Sequence, residues 1–285
     1  MAVERQRTLA RRTSSVAGVG LHSGKSAMVL LEPAPADAGF SFKRNDLRGA
    51  PVISAVASNV ESTARCVTLE RDGARVKTVE HILAACVLAG LDNAMILVEG
   101  DEVPAMDGSA LAFLELIEAA GVKEQEKERA FVEPPSRFEA AKGEARIYGV
   151  PALEPSLKFR FRGIPALDGS EAIFGQGGLA ARDIASARTF CFEDEIGPLL
   201  QAGLGQGGSL ETVLVLHRDG SSVNAARDPR EPLRHKLLDL VGDMALAGAP
   251  LRAEVTAEGT GHALHVEFIS KLMEKTKKEA TSRDA

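Results

Sequence analysis

Tryptophan is absent from the 285 residues, tyrosine occurs once, and aromatic side chains make up only 4%. The core must therefore be aliphatic. Cysteines number three, Cys66, Cys86 and Cys191, far apart and in no CxxC pair. That spacing suggests neither a disulfide framework nor a thiolate zinc site, and it fits a reducing compartment. A cytoplasmic location is the expectation. No apolar run reaches the roughly 18 residues of a membrane span. A basic excess is missing as well: 34 Lys and Arg stand against 40 Asp and Glu, a net charge of −6. Non-specific nucleic-acid binding needs a broad basic surface, so no nucleic-acid partner is expected. The start, "MAVERQRTLARRTSSV", is rich in Arg and Ser as a transit peptide is, but it lacks the apolar block of a secretory signal.

What is present is a chain long enough for two domains, with an apolar content of 45%. Its first 120 residues alternate strand-like and turn-like pieces. "GVGLHSGKSAMVLLEPAP" reads as a turn and then a strand ending at prolines. "ARCVTLERDGARVKTV" reads as a hairpin around Asp72-Gly73. "TVEHILAACVLAGL" reads as a helix with Thr78 as N-cap and Gly90 near its end. "NAMILVEG" follows as a buried strand, and "MDGSALAFLELIEAAG" as a second helix, capped by Asp107 or Ser109 and stopped by Gly121. The charged, then proline-bearing run "VKEQEKERAFVEPPSRFE" predicts a linker. It divides the chain into residues 1–128, with Glu80-His81, and 129–285, with His235, Asp239 and His262. In the second half "ETVLVL" reads as a strand, "LRHKLLDLVGDMALAG" as a helix and "LRAEVTAEG" as a strand. Both halves run helix, "LAG", then a strand closing in "EG". Aligned there, His81 falls on Asp239. The match predicts two similar α+β units with functional helices in corresponding places.

The helix "RHKLLDLVGDMA" carries the most chemistry. At about 100° per residue, His235, Lys236, Asp239 and Asp243 share one arc of roughly 100°, opposite Leu237, Leu238, Leu240, Val241 and Met244. A solvated polar face would look the same. However, Asp239 and Asp243 are like charges four apart, which is mildly unfavourable. A His and a carboxylate at that spacing also present two good metal ligands from one rigid turn. A third ligand is on offer in "TVEHIL", where His81 opens a helix beside Glu80. In the chemical reading Glu80 takes a proton from water on the metal. In the bland reading Glu80 favours the helix N-terminus and His81 is a surface residue. "EGTGHALHVEF" adds His262 in a Gly-flanked turn. Lys236 and Thr189 are further candidate donors to a developing oxyanion.

Eight segments, "QRTLARR", "GVGLHSGK", "TVEHILAA", "EVPAMDGSA", "SARTFCF", "GGSLETVLV", "RHKLLDLVGD" and "GHAL", occur in one order over residues 6 to 265. The chain thereby resembles the UDP-3-O-acyl-N-acetylglucosamine deacetylases, zinc amidases of lipid A synthesis. The first segment begins at residue 6, so the basic start reads as mature structure. The resemblance implies an α+β fold of two similar domains, each a sheet layer on a helix layer, with the helices meeting at the active site. It implies one Zn2+ per chain on His81, His235 and Asp239, Glu80 as general base and His262 as general acid. Asp243 would orient His262, and Thr189 and Lys236 would assist the oxyanion. The substrate would be a UDP-linked acylated amino sugar, losing its N-acetyl group as acetate. Its acyl chain would run along an apolar insert, "CFEDEIGPLLQAGLGQGGSL". Phe190, Phe192, Ile196, Leu199, Leu200, Leu204, Gly208 and Ser209 are the substrate-binding candidates. A monomer is expected, touching membrane only peripherally, through that substrate.

Three departures stand out. The family's acidic pair before "RHK" is replaced by Arg230-Glu231. The basic residue usual just before the "GH" turn is replaced by Glu258, Gly259 and Thr260, where it would meet the diphosphate. The usual Asn after "GHAL" is His265. The alternatives are a metal-binding relative without catalysis, a deacetylase of altered substrate, and a binding module with a merely solvated helix face. Glu80 and His262, which a structural metal site does not need, speak against the first.

Overall fold

The computed structural model describes residues 4–134 and 136–283. The first half runs β1 (Arg5–Leu9), β2 (Val16–Val19), β3 (Ser26–Pro33), β4 (Phe40–Arg44), β5 (Val52–Ser54), β6 (Val60–Ser62), β7 (Thr68–Arg71), β8 (Ala74–Lys77), α1 (Glu80–Leu88), β9 (Ala94–Glu99), α2 (Leu111–Ala120) and β10 (Val122–Glu128). The second runs β11 (Phe138–Lys142), β12 (Ala145–Pro151), β13 (Ser156–Arg160), β14 (Glu171–Gly175), α3 (Ala181–Ala185), β15 (Phe190–Phe192), α4 (Glu193–Gln201), β16 (Leu214–Leu216), α5 (Glu231–Met244), β17 (Ala253–Glu258) and α6 (His262–Arg283).

Each half contains a five-stranded sheet, and the two have the same plan. The orders are β2-β3-β9-β4-β5 and β11-β12-β17-β13-β14. In the first, β9 is antiparallel to β3 and parallel to β4. In the second, β17 is antiparallel to β12 and parallel to β13. The central strand is in both cases the one following "LAG". Alternate residues fill the core: Val29, Leu31, Phe42, Ile96 and Val98 from one sheet, Ile147, Phe159, Val255 and Ala257 from the other. Preceding those central strands are α1 and α5, which pack against each other. Helix α1 is apolar almost all round, and nearly every residue in it is buried, as such a helix requires.

Several local expectations needed correction. "VKEQEKE" is no linker: it forms β10, paired antiparallel with β1. Its charges are tolerable because the ribbon faces water, with Arg7 on Glu124 and the Arg5 guanidinium on the Glu126 carbonyl. Thr78 is not a cap. Its φ is 56°, its hydroxyl donates to Glu102 Oε1 at 2.9 Å, and α1 starts from Val79. Asp107 and Ser109 form a turn just ahead of α2, whose N-cap is Ala110. The strand expected over residues 211–216 is confined to β16, since Asn224 takes the carbonyls of Leu210 and Val213. The Asp72-Gly73 hairpin forms, both residues having positive φ. Gly90 and Gly121 follow their helices with φ of 73° and 75°.

Candidate active site

The helix pair brings together side chains from both halves. His81 opens α1, while His235, Lys236, Asp239 and Asp243 lie along α5. His81, His235, Asp239 and Asp243 are at most 5% exposed, so the polar arc of α5 is not a solvated face. His81 Nε2 is 3.9 Å and His235 Nε2 is 3.3 Å from Asp239 Oδ1. The two imidazoles meet edge to face, with centroids 5.1 Å apart. One ligand atom from each of the three lies within 4.8 Å of the others.

The protonation states fit a cation. Burial pushes His81 down to about 3, helped by the neighbouring His235, and burial lowers His235 too. Burial opposes the charge on Asp239, but Lys236 and the surrounding imidazoles hold it well below the usual carboxylate range. Lys236 Nζ donates to its Oδ2 at 2.8 Å. His235 Nδ1 sits 3.1 Å from the Ala187 carbonyl. A carbonyl only accepts, so Nδ1 carries the proton and Nε2 keeps its lone pair, the tautomer of a metal ligand. That lone pair faces an ionised carboxylate oxygen. The pairing is repulsive unless a cation lies between, so the donor set fits zinc.

Glu80 and His262 face each other beside this set, His262 Nε2 being 3.8 Å from Glu80 Oε1. Glu80 Oε2 accepts from the Val67 amide at 3.0 Å. Burial raises the Glu80 carboxyl to about 7, although His262 works against the rise. For His262 burial would lower the pKa, but Asp243, accepting from Nδ1 at 2.8 Å, and then Glu80 lift it to about 10. Asp243, His262 and His265 also cluster closely. There Asp243 Oδ2 accepts from both Nδ1–H groups, so that oxygen is already committed to hydrogen bonds.

A cavity of ≈ 390 Å³ is lined by Glu80, His81, Thr189, His235, Lys236, Asp239 and His262, and Asp243 stands behind His262. The UDP-3-O-acyl N-acetylglycosamine deacetylase family model matches residues 6–274. A UDP-3-O-acyl-N-acetylglucosamine deacetylase of Thermosynechococcus vestitus is 43% identical over 270 residues, covering 92% of each chain. One from Myxococcus xanthus is 40% identical over 278 residues, covering 94% of this chain and 86% of its own. The chain belongs to the UDP-3-O-acyl-N-acetylglucosamine deacetylase family.

The segment after Thr189 lines a second cavity of ≈ 300 Å³ that shares Leu21, His22, Arg65, Thr189 and Phe190 with the first. Of the candidate substrate-binding residues, Phe190, Ile196, Leu199, Leu200, Gly208 and Ser209 line it. Phe192 and Leu204 do not. Phe192 lies under the Arg218 guanidinium, 3.9 Å from ring centroid to Cζ. The Leu204 amide turns back onto the Leu199 carbonyl where α4 ends.

Other residues at the site escaped the sequence reading. Glu102 is fully buried and accepts from the amides of His22 and Ser23, at 2.8 and 2.7 Å, as well as from Thr78. It fixes the "GLHSG" turn that places Leu21 and His22 between the cavities. Gly20 is required there, because a Cβ would stand 2.4 Å from Glu102 Oε2. Arg65 reaches from the β6–β7 turn to Glu195 of α4. Nothing in their local spacing marks either residue. Arg188, whose guanidinium grips the buried Glu231, ties the start of α5 to the turn before β15.

The departure over Glu258, Gly259 and Thr260 has a physical counterpart at Gly259. Its φ is 60°, and a Cβ there would meet the Arg162 stem at 3.1 to 3.5 Å. Arg162 therefore lies over Gly259. Its guanidinium, together with that of Arg146, holds the buried Glu258.

Proposed function

We infer that this protein is a zinc-dependent amide hydrolase that removes the N-acetyl group from UDP-3-O-acyl-N-acetylglucosamine, releasing acetate, in lipid A biosynthesis. The carrying observation is the meeting of Glu80, His81, His235, Asp239 and His262 in one cavity, within a chain that matches the family over nearly its whole length.

One zinc is held by His81, His235 and Asp239 in this reading. A zinc ion there supplies Lewis acidity to the acetamide carbonyl and to the attacking water. The chain's own residues carry the protons. Glu80, with its pKa raised to about 7, is basic enough near neutral pH to take one from water. His262, lifted to about 10, is protonated at neutral pH and gives a proton to the departing sugar amine. Thr189 and the half-buried Lys236 border the cavity where the carbonyl oxygen gains charge.

The acyl chain occupies the second cavity along Phe190, Ile196, Leu199 and Leu200. The diphosphate lies by Lys142 at the rim and Arg162 above Gly259. Residues 1–128 and 129–285 are two similar domains, a division supported by the shared sheet plan. A cytoplasmic location, supported by the unpaired cysteines, and a monomeric state complete the reading. Among the described residues no helix is long and apolar enough to cross a membrane. The decisive test is acetate release from the UDP substrate alongside zinc per chain. The wild type should show both. Glu80→Gln should keep zinc but lose about 10²–10⁴ in rate. A near-normal rate in that variant would remove Glu80 from the reaction.

A further inference from the structure

We propose that His265 is a positioning residue for the deacetylation, holding Asp243 in the one orientation that aims His262 into the cavity. This rests on the reading of His262 as the acid. Asp243 lies on α5, and the first turn of α6 carries both histidines. Their rings stand at 86° to each other and converge on one atom. Nδ1 of His262 donates to Asp243 Oδ2 at 2.8 Å, and Nδ1 of His265 donates to the same oxygen at 2.7 Å. The other oxygen, Oδ1, is buried without a partner.

That asymmetry is what gives His265 its role. The terminal torsion of an Asp side chain is broad and nearly two-fold, so the carboxylate has little orientation of its own. With His262 as the sole donor, either oxygen and a range of planes would serve. Two donors meeting from crossed directions leave one arrangement that suits both. The His262 ring is fixed in turn, with Nε2 turned towards Glu80.

His265 is itself held. Its Nε2 lies 2.6 Å from Thr260 Oγ1. An ionised carboxylate only accepts, so His265 Nδ1 carries a proton, and in the tautomer that leaves Nε2 bare that nitrogen takes the Thr260 hydroxyl proton. Donation thus runs from Thr260 through His265 to Asp243, where it meets donation from His262. His265 is fully buried and does not line the cavity, so it acts through Asp243 alone. An Asn at this position would have its amide nitrogen near the place of an imidazole Nδ1. It can therefore make the donation to Asp243 but not the contact with Thr260.

The zinc-loaded full-length enzyme tests this with two variants. His265→Asn keeps a donor for Asp243, and kcat should stay within about threefold of wild type. In His265→Gln the amide sits a methylene further out, near the place of Nε2. It should lower kcat about tenfold or more, with KM and zinc per chain unchanged. In a His262→Ala background His265→Gln should change nothing further, since the two act as a unit. Equal kcat in the Asn and Gln variants would overturn the proposal, as would a tenfold loss in the Asn variant or additive effects with His262→Ala. A fully active His262→Ala enzyme would instead overturn the assignment of His262 as the acid.

Discussion

A Cβ on Gly242 would stand 2.0 Å from the carbonyl oxygen of Glu80, and 2.8 Å from its carbonyl carbon. These are backbone atoms of the facing helix, with no flexible tip to yield. The bare face of α5 at Gly242 lets the first turn of α1 close in, and that turn carries Glu80 and His81. Gly242→Ala would improve the intrinsic propensity of α5 by about 1 kcal/mol. The forced separation should dominate. Overpacking costs ~1–3 kcal/mol, and a misplacement near 1 Å can cost about 10² in rate. We expect a lower Tm, reduced zinc per chain and kcat/KM down about 100-fold. An Ala variant with full zinc and full rate would show that the helices have room to spare.

Removing one ligand should remove the metal. His235→Ala deletes the nitrogen whose lone pair faces Asp239, and it leaves the buried carboxylate with Lys236 as its main counter-charge. Zinc per chain should fall from one to near zero, and activity with it. Metal analysis beside acetate release checks this. Full occupancy in the variant would exclude His235 from the ligand set.

The alkaline side of the pH profile should depend on Asp243. Burial alone would depress His262, and the Asp243 carboxylate is the main influence raising it to about 10. In Asp243→Asn that charge is gone, so the His262 pKa must fall and the protonated acid is lost at lower pH. The alkaline limb of kcat/KM should move to lower pH, while Glu80, with its pKa of about 7, sets the acidic limb. An unmoved alkaline limb would mean that another group sets it.

The parts legible in the sequence were those written as local pattern. The hairpin at Asp72-Gly73 and the stops at Gly90 and Gly121 rest on backbone preferences that only glycine or a turn residue satisfies. The common "LAG…EG" frame marked the two central strands, because each half builds its sheet around the segment following its buried helix. His235 and Asp239 were visible as a four-residue spacing on one helix. The sequence alone could not show that their face is buried, since burial comes from α1 packing across it. The resemblance supplied the other roles. The misreading of β10 has the same origin: a two-stranded ribbon facing water needs no apolar alternation, so its charges looked like a linker. Thr78 and Glu102 meet only in the fold, as do Gly259 and Arg162.

The nucleotide end tests that last pairing. If Arg162 supplies the charge missing over Glu258, Gly259 and Thr260, Arg162→Ala should weaken binding of the UDP substrate without touching zinc. A hydrogen bond to a charged group contributes roughly 1.5–3 kcal/mol. KM should therefore rise about tenfold or more, with a small change in kcat and a weaker dependence on ionic strength. Glu258 loses one of its guanidinium partners in this variant but keeps Arg146. The Tm is therefore the control. An unchanged KM at an unchanged Tm would place the diphosphate elsewhere.

The acyl chain gives the last prediction. Hydrolysing an acetamide requires no fatty tail, so any dependence on one must come from a separate apolar surface. Ile196, Leu199 and Leu200 of α4 line a cavity joined to the catalytic one through Leu21, His22, Thr189 and Phe190. Leu200 is 45% exposed, which an ordinary core leucine is not. Each buried methylene of substrate should contribute up to about 0.8 kcal/mol. Shortening the acyl chain should then lower kcat/KM stepwise while zinc per chain stays constant. Leu200→Asp puts a charge on the cavity wall where partial exposure limits the stability cost, and it should flatten the dependence on chain length. Ile196→Asp should do the same. Phe192→Ala, whose ring lies under Arg218 and outside the lining, should leave the profile's shape intact. A Leu200→Asp enzyme that loses Tm yet keeps the wild-type chain-length profile would show that α4 only packs on its own domain.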